Sequence, residues 1–103
     1  MLPLIDSRKA EIAELCRRFH VRRLEVFGSA ARGHDFDPRR SDVDFLVEFD
    51  AGYRADAFDD YFDLKEGLES LLGRSVDLVV DRAIRNPYFR ASVERSRQPV
   101  YAP

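Results

Sequence analysis

The stretch VFGSAARGHDFDPRRSDVDFLVEF, residues 26–49, decides how this chain folds. It opens in a β-favouring run, breaks at Gly28 and Ser29, passes through a basic loop, and enters a second apolar run, residues 43–49, with Asp42 and Asp44 at its start. Near-continuous apolar character predicts a strand covered on both faces. Side chains alternate along a strand, so Asp42 and Asp44 point to one face. Two carboxylates that close repel, and burial makes the repulsion worse. A shared proton or a cation relieves it, and a hard divalent ion with oxygen ligands, such as Mg²⁺, suits a carboxylate pair.

Outward from this stretch, residues 22–28 predict a strand ending at Gly28. Residues 7–19 predict a helix with an apolar stripe of Ile12, Leu15, Cys16 and Phe19, capped by Asp6 or Ser7 and supported by a Glu14–Arg18 pair on its wet side. Cys16 reads as a small core residue, and His20 as a favourable charge at the helix end. Downstream, residues 57–72 predict a second long helix, weakened by Gly67 and stopped by Gly73. SVDLVV, residues 75–80, predicts a third strand. Asn86 and Pro87 form a cap and first turn for a helix running to about Arg97, and Pro99 ends it before a short edge segment. The order is α-β-α-β-α-β-α, with GSAARG as the short second helix: a small mixed sheet with flanking helices, α/β in the α+β sense.

The chain has 103 residues, the size of a single domain spanning 1–103. Its 17 basic and 19 acidic residues give a net charge of −2, which argues against nucleic acid as the direct partner. Cys16 is the only cysteine, so no internal disulfide forms. No apolar run approaches the ~20 residues of a membrane span, and MLPLIDSRKA lacks the pattern of a signal peptide. The expectation is a cytoplasmic protein with no membrane contact.

A third acid, Asp77, sits inside the apolar run of the third strand. If that strand neighbours the second, three acids meet at one site, which suits two metal ions or one ion and a general base. The phosphate side lies upstream. Gly28 permits close approach of a phosphate, and the Gly28–Ser29 turn offers backbone N–H groups and a hydroxyl at the start of a helix. Arg32, then Arg39 and Arg40 in the loop, can pair with phosphate charge, and Ser41 completes the candidate phosphate-binding set. His34, in the same loop, reads as a solvated residue.

These motifs, GSAARG, SDVDFLV and LLGRSVDLVV, with the closing RNPYFRASVERSRQPVYA, resemble the nucleotidyltransferase superfamily of polymerase-β type. The resemblance is greatest to the minimal nucleotidyltransferases (MNT) that are paired with HEPN-domain toxins. It covers nearly the whole chain and implies the polymerase-β-like fold. It implies that Asp42 and Asp44 bind Mg²⁺, that Asp77 completes the site as general base, and that Gly28 and Ser29 hold the triphosphate of ATP. The implied reaction is transfer of AMP from ATP to a tyrosine of a partner HEPN ribonuclease, with release of pyrophosphate, silencing the toxin. The resemblance leaves two alternatives: an antitoxin that inhibits by contact alone, and a small-molecule transferase of the aminoglycoside-modifying kind, whose additional helical domain has no room here. HDFDPRR, residues 34–40, is a residue or two longer than the commonest family spacing.

Overall fold

A computed structural model describes residues 1–33, 36–37, 42–51 and 57–102. The helix expected at residues 7–19 is present as a slightly shorter one, and a separate short helix precedes it. Pro3 pre-sets the backbone at the first turn of α1, Pro3–Asp6, and α2 follows as Lys9–Arg18. They separate at Ser7, whose hydroxyl turns back to the Leu4 carbonyl at 3.1 Å. Neither Asp6 nor Ser7 therefore caps α2; Arg8 holds that position, its side chain capping no backbone amide. Glu14 pairs with Arg17 at 2.9 Å rather than with Arg18. Ile12 and Cys16 are fully buried, as the stripe predicts, with Leu15 and Phe19 packed partly against the same core.

His20 turns the chain into β1, Val21–Phe27. It lies at φ 62°, accepts a hydrogen bond on its carbonyl from the Asp50 amide at 2.9 Å, and sets Nδ1 3.0 Å from Asp60 Oδ2. It is a corner residue tied to two later segments. After β1 come α3, Ser29–Arg32; β2, Val43–Phe49; α4, Ala57–Leu72; β3, Val76–Val80; a 3₁₀ turn, Asp81–Ala83; α5, Pro87–Ser96; and β4, Gln98–Tyr101. The strand expected at residues 43–49, the helix at 57–72 and the helix opened by Asn86 stand where the sequence puts them. The Asn86 side chain accepts from the Tyr88 and Phe89 amides at 2.8 and 3.2 Å, and Gly73 lies at φ 68° beyond α4.

The four strands form a mixed sheet in the order β3-β2-β1-β4. β1 runs antiparallel to β2 and β4, and β2 runs parallel to β3. A bulge between Val21 and Arg23 lets both Val21 and Leu24 reach the main core. On one face Val26, Val43, Phe45, Val47, Val76 and Leu78 pack with Ile12 and Cys16 of α2 and Leu64, Leu68 and Leu72 of α4. On the other face Phe27 and Leu46 pack with Val93 of α5. β2 is thus covered on both sides, which accounts for its apolar run. Among the described residues, no helix is long and apolar enough to cross a membrane.

Candidate functional site

β1, β2 and β3 bring the candidate residues together. Asp44 is the register partner of Asp77 on β3 and of Phe27 on β1. Directly paired residues share a sheet face, so Phe27, Asp44 and Asp77 form one row on the α5 side. Asp42 precedes β2 and is exposed, Asp77 is exposed, and Asp44 is half-buried. Burial pushes the Asp44 carboxyl up to about 6, the charges of Asp77 and then Asp42 add to the rise, and Arg32 opposes it. The repulsion expected from the sequence is thus evident at the middle carboxylate.

Gly28 closes β1 at φ 71°, ψ −150°, a backbone region that essentially only glycine occupies. Its Cα lies so close to the acid row that a Cβ built there would stand 2.7 Å from Asp44 Oδ2. The Gly28 amide is already engaged, donating to Ser96 Oγ at 2.8 Å. Its contribution to the turn is therefore shape and close approach. Ser29 opens α3, whose Ala30 and Ala31 are buried against the sheet. Gly33, at φ 85°, ends α3 by donating to the Ser29 carbonyl at 2.8 Å. Arg32 is exposed at the end of α3. His34, Arg39, Arg40 and Ser41 lie outside the described residues, so the phosphate role read for Arg39, Arg40 and Ser41 has no structural counterpart here. Phe36 is described: it packs partly against the main core, with the Arg74 guanidinium 5.1 Å over its ring.

Among the described residues, no three His, Cys, Asp or Glu side chains converge as a ready-made metal cage. The donors present are all carboxylate oxygens, and their mutual repulsion is felt at Asp44. That set fits a hard cation held by one or two carboxylates together with oxygens of a bound phosphate, the usual manner of Mg²⁺.

Two features escaped the sequence reading. Ser96 reaches Gly28 across 68 positions, and a hydroxyl in a helix carries no signal of so distant a partner. Buried Glu25 meets Arg97 at 2.5 and 3.1 Å, and Asp81 meets Arg90 at 2.6 Å, with Arg23 and Arg97 each 3.4 Å from Asp81. Burial raises the Asp81 carboxyl, but its hydrogen bond to Arg90 and the charges of Arg90, Arg97 and Arg23 outweigh this and hold it low. This network ties α5 and the 3₁₀ turn to β1.

The family profile described as nucleotidyltransferase domain matches residues 9–100. Protein adenylyltransferase MntA of Thermococcus cleftensis is 41% identical over 83 residues, covering 81% of this chain and 76% of its own. A solved structure of a candidate minimal nucleotidyltransferase is 38% identical, with a TM-score of 0.72 over 91% of this chain and 90% of that one. The fold alone is shared with a structure described as tri-AMPylated Shewanella oneidensis HEPN toxin in complex with MNT antitoxin, at 19% identity and a TM-score of 0.64, over 96% of this chain and 73% of that one.

Proposed function

The chain belongs to the nucleotidyltransferase family, and from that premise we propose that it is a Mg²⁺-dependent protein adenylyltransferase. On this reading it acts as an antitoxin, carrying AMP from ATP to a tyrosine of a HEPN ribonuclease partner. The observation that carries the proposal is the pairing of Asp44 with Asp77 beside the close-approach turn at Gly28. A protein acceptor is supported by the name of the Thermococcus relative. A HEPN acceptor is supported by the motif resemblance and by the existence of an MNT antitoxin of this fold with an AMPylated HEPN toxin.

Asp42 and Asp44 would hold Mg²⁺, with Asp77 completing the site. When bound, the ion supplies positive charge to the triphosphate and its leaving oxygen. Gly28 brings the backbone close to the acid row, Ser29 offers a hydroxyl to a phosphate oxygen, and Arg32 adds positive charge at the site's edge. The acceptor hydroxyl oxygen forms a bond to the α-phosphorus, the bond from that phosphorus to the bridging oxygen breaks, and pyrophosphate leaves. Asp77, as carboxylate, takes the hydroxyl proton.

The test is mass spectrometry of the co-purified partner after incubation with Mg²⁺ and ATP. A mass gain in multiples of AMP is expected, lost in Asp42→Asn/Asp44→Asn. No gain with any of the four nucleotides overturns the transfer. If the double variant still neutralises the toxin at equal dose, inhibition is by contact and not by catalysis.

A further inference from the structure

We infer that Ser96 is a positioning residue for the Gly28–Ser29 turn: its hydroxyl holds the Gly28 amide and so fixes that turn against Asp44. The inference rests on the reading of this turn as the phosphate side of the site. Ser96 is the last residue of α5 and only 9% exposed. Burying a hydroxyl is costly unless it is hydrogen-bonded, and its oxygen accepts from the Gly28 amide at 2.8 Å. Gly28 lies at φ 71°, ψ −150°, a conformation glycine enters without strain but also leaves freely, so the turn depends on outside contacts to stay in place.

Ser96 holds the Gly28 amide, and the turn lies close enough to Asp44 that a Cβ at position 28 would not fit. Loss of the Ser96 bond would free the turn to shift relative to that carboxylate.

The hydroxyl is itself fixed. Val93, one turn earlier, is fully buried against Phe27 and Leu46. Arg97, the next residue, donates its amide to the Val93 carbonyl at 2.9 Å and its guanidinium to Glu25 on β1. The end of α5 is therefore anchored on both sides of Ser96 before the serine meets Gly28. The residue acts through the turn and touches no reacting atom in this role.

The experiment compares Ser96→Ala with Val93→Ala, which loosens the packing of α5 but leaves the Gly28–Ser96 bond. In the full chain, amide hydrogen exchange is followed across residues 28–33, and Kd for ATP with Mg²⁺ is measured by calorimetry. Ser96→Ala is expected to speed exchange in that segment about tenfold and to weaken Mg-ATP about tenfold, since loss of one buried hydrogen bond frees a group that must be held in place. Val93→Ala is expected to lower the unfolding midpoint while changing exchange at residues 28–33 and Mg-ATP affinity less than Ser96→Ala does, because the Gly28–Ser96 bond is still made. Unchanged exchange in Ser96→Ala overturns the inference, as does faster exchange with unchanged affinity. If the wild-type chain binds no Mg-ATP, the nucleotide reading of the site fails. The exchange measurement then still decides whether Ser96 holds the turn.

Discussion

Asp44 of β2 and Asp77 of β3 are register partners on neighbouring parallel strands, with Phe27 opposite Asp44 on its other side. The central carboxylate is thus flanked by an aromatic ring and by another acid. Burial is the larger of the forces on it and the Asp77 charge comes next, together placing its titration at about 6.

That value gives the metal-free protein a pH dependence of definite sign. The folded-state value lies above the ordinary carboxylate value of 3.8. The stability tied to the protonated Asp44 is therefore fully present below about pH 4 and is lost as pH rises through about 6. Asp44→Asn removes the strained charge. Without divalent ions it should be more stable than wild type at pH 8 by about 1 kcal/mol, a figure reduced for solvent screening of a half-buried group. The advantage should vanish near pH 4. Urea unfolding at the two pH values measures it, and a variant no more stable at pH 8 would show that the acid row is relaxed as it stands.

Gly28→Ala meets two obstacles together: φ 71° with ψ −150°, and a Cβ 2.7 Å from Asp44 Oδ2. Adding the strained backbone to the contact, the loss of stability should be about 2–4 kcal/mol. Combining it with Asp44→Ala, which removes the clashing carboxylate, should recover the steric part and leave the backbone part. Chemical denaturation of the two single variants and the double variant separates the parts, and strict additivity would mean that the close approach carries no energy.

The juxtaposition of Asp44, Asp77 and the Gly28 turn was legible because the parts occur together and in order, each at the mouth of an expected strand, although each alone reads as an ordinary turn or strand-end residue. The elements were legible from period and punctuation, most clearly β2 and the Asn86 cap. The separate helix α1 was not, because the apolar stripe of α2 gives no sign that Pro3 starts a separate turn. The corner role of His20 was not legible for a related reason. Its positive φ occurs together with the Asp50 and Asp60 contacts, which only the assembled sheet and α4 create. Ser96 and the Glu25–Arg97 pair depend on α5 lying across β1, a relationship between residues about 70 positions apart.

The Glu25–Arg97 pair yields its own expectation. Glu25 is 7% exposed, and Arg97 reaches it with two nitrogens. Arg23 stays 3.3 Å from Glu25 when Arg97 is removed, so Arg97→Ala leaves that buried charge partly paired and should cost about 1–3 kcal/mol. Replacing both, as Glu25→Leu with Arg97→Met, should return most of that loss, because the desolvation cost of the pair disappears with it. A double variant as unstable as the single one, measured by its denaturation midpoint, would contradict this account.

Asn86 is exposed, but its side chain bonds two amides at the start of α5. Asn86→Ala should lower stability by about 1 kcal/mol, a fall in Tm of roughly 4–8 °C for a chain of this size. Asn86→Asp, which keeps the acceptor, should stay near wild type. Calorimetric scans of both variants distinguish loss of the cap from a general effect at this position.

Gly67 presents the opposite case, a helical glycine whose replacement should help. An alanine in a helix interior gains roughly 0.5–1 kcal/mol over glycine. Against this, a Cβ at position 67 would lie 3.0 Å from Leu15 Cδ2 and 3.3 Å from Cδ1. Those atoms are the far end of a side chain that is only partly buried. Leu15 also lines a groove of about 420 Å³ between α2 and α4, together with Glu11, Glu14, Gly67, Ser70 and Leu71. The leucine can move into that space by a small change of rotamer, which costs less than the backbone gain. Gly67→Ala should therefore be more stable by about 0.5 kcal/mol, seen as a rise of roughly 2–4 °C in Tm. A fall instead would mean that Leu15 is held against Gly67 by its packing, and Leu15→Val in the Gly67→Ala background should then restore the gain.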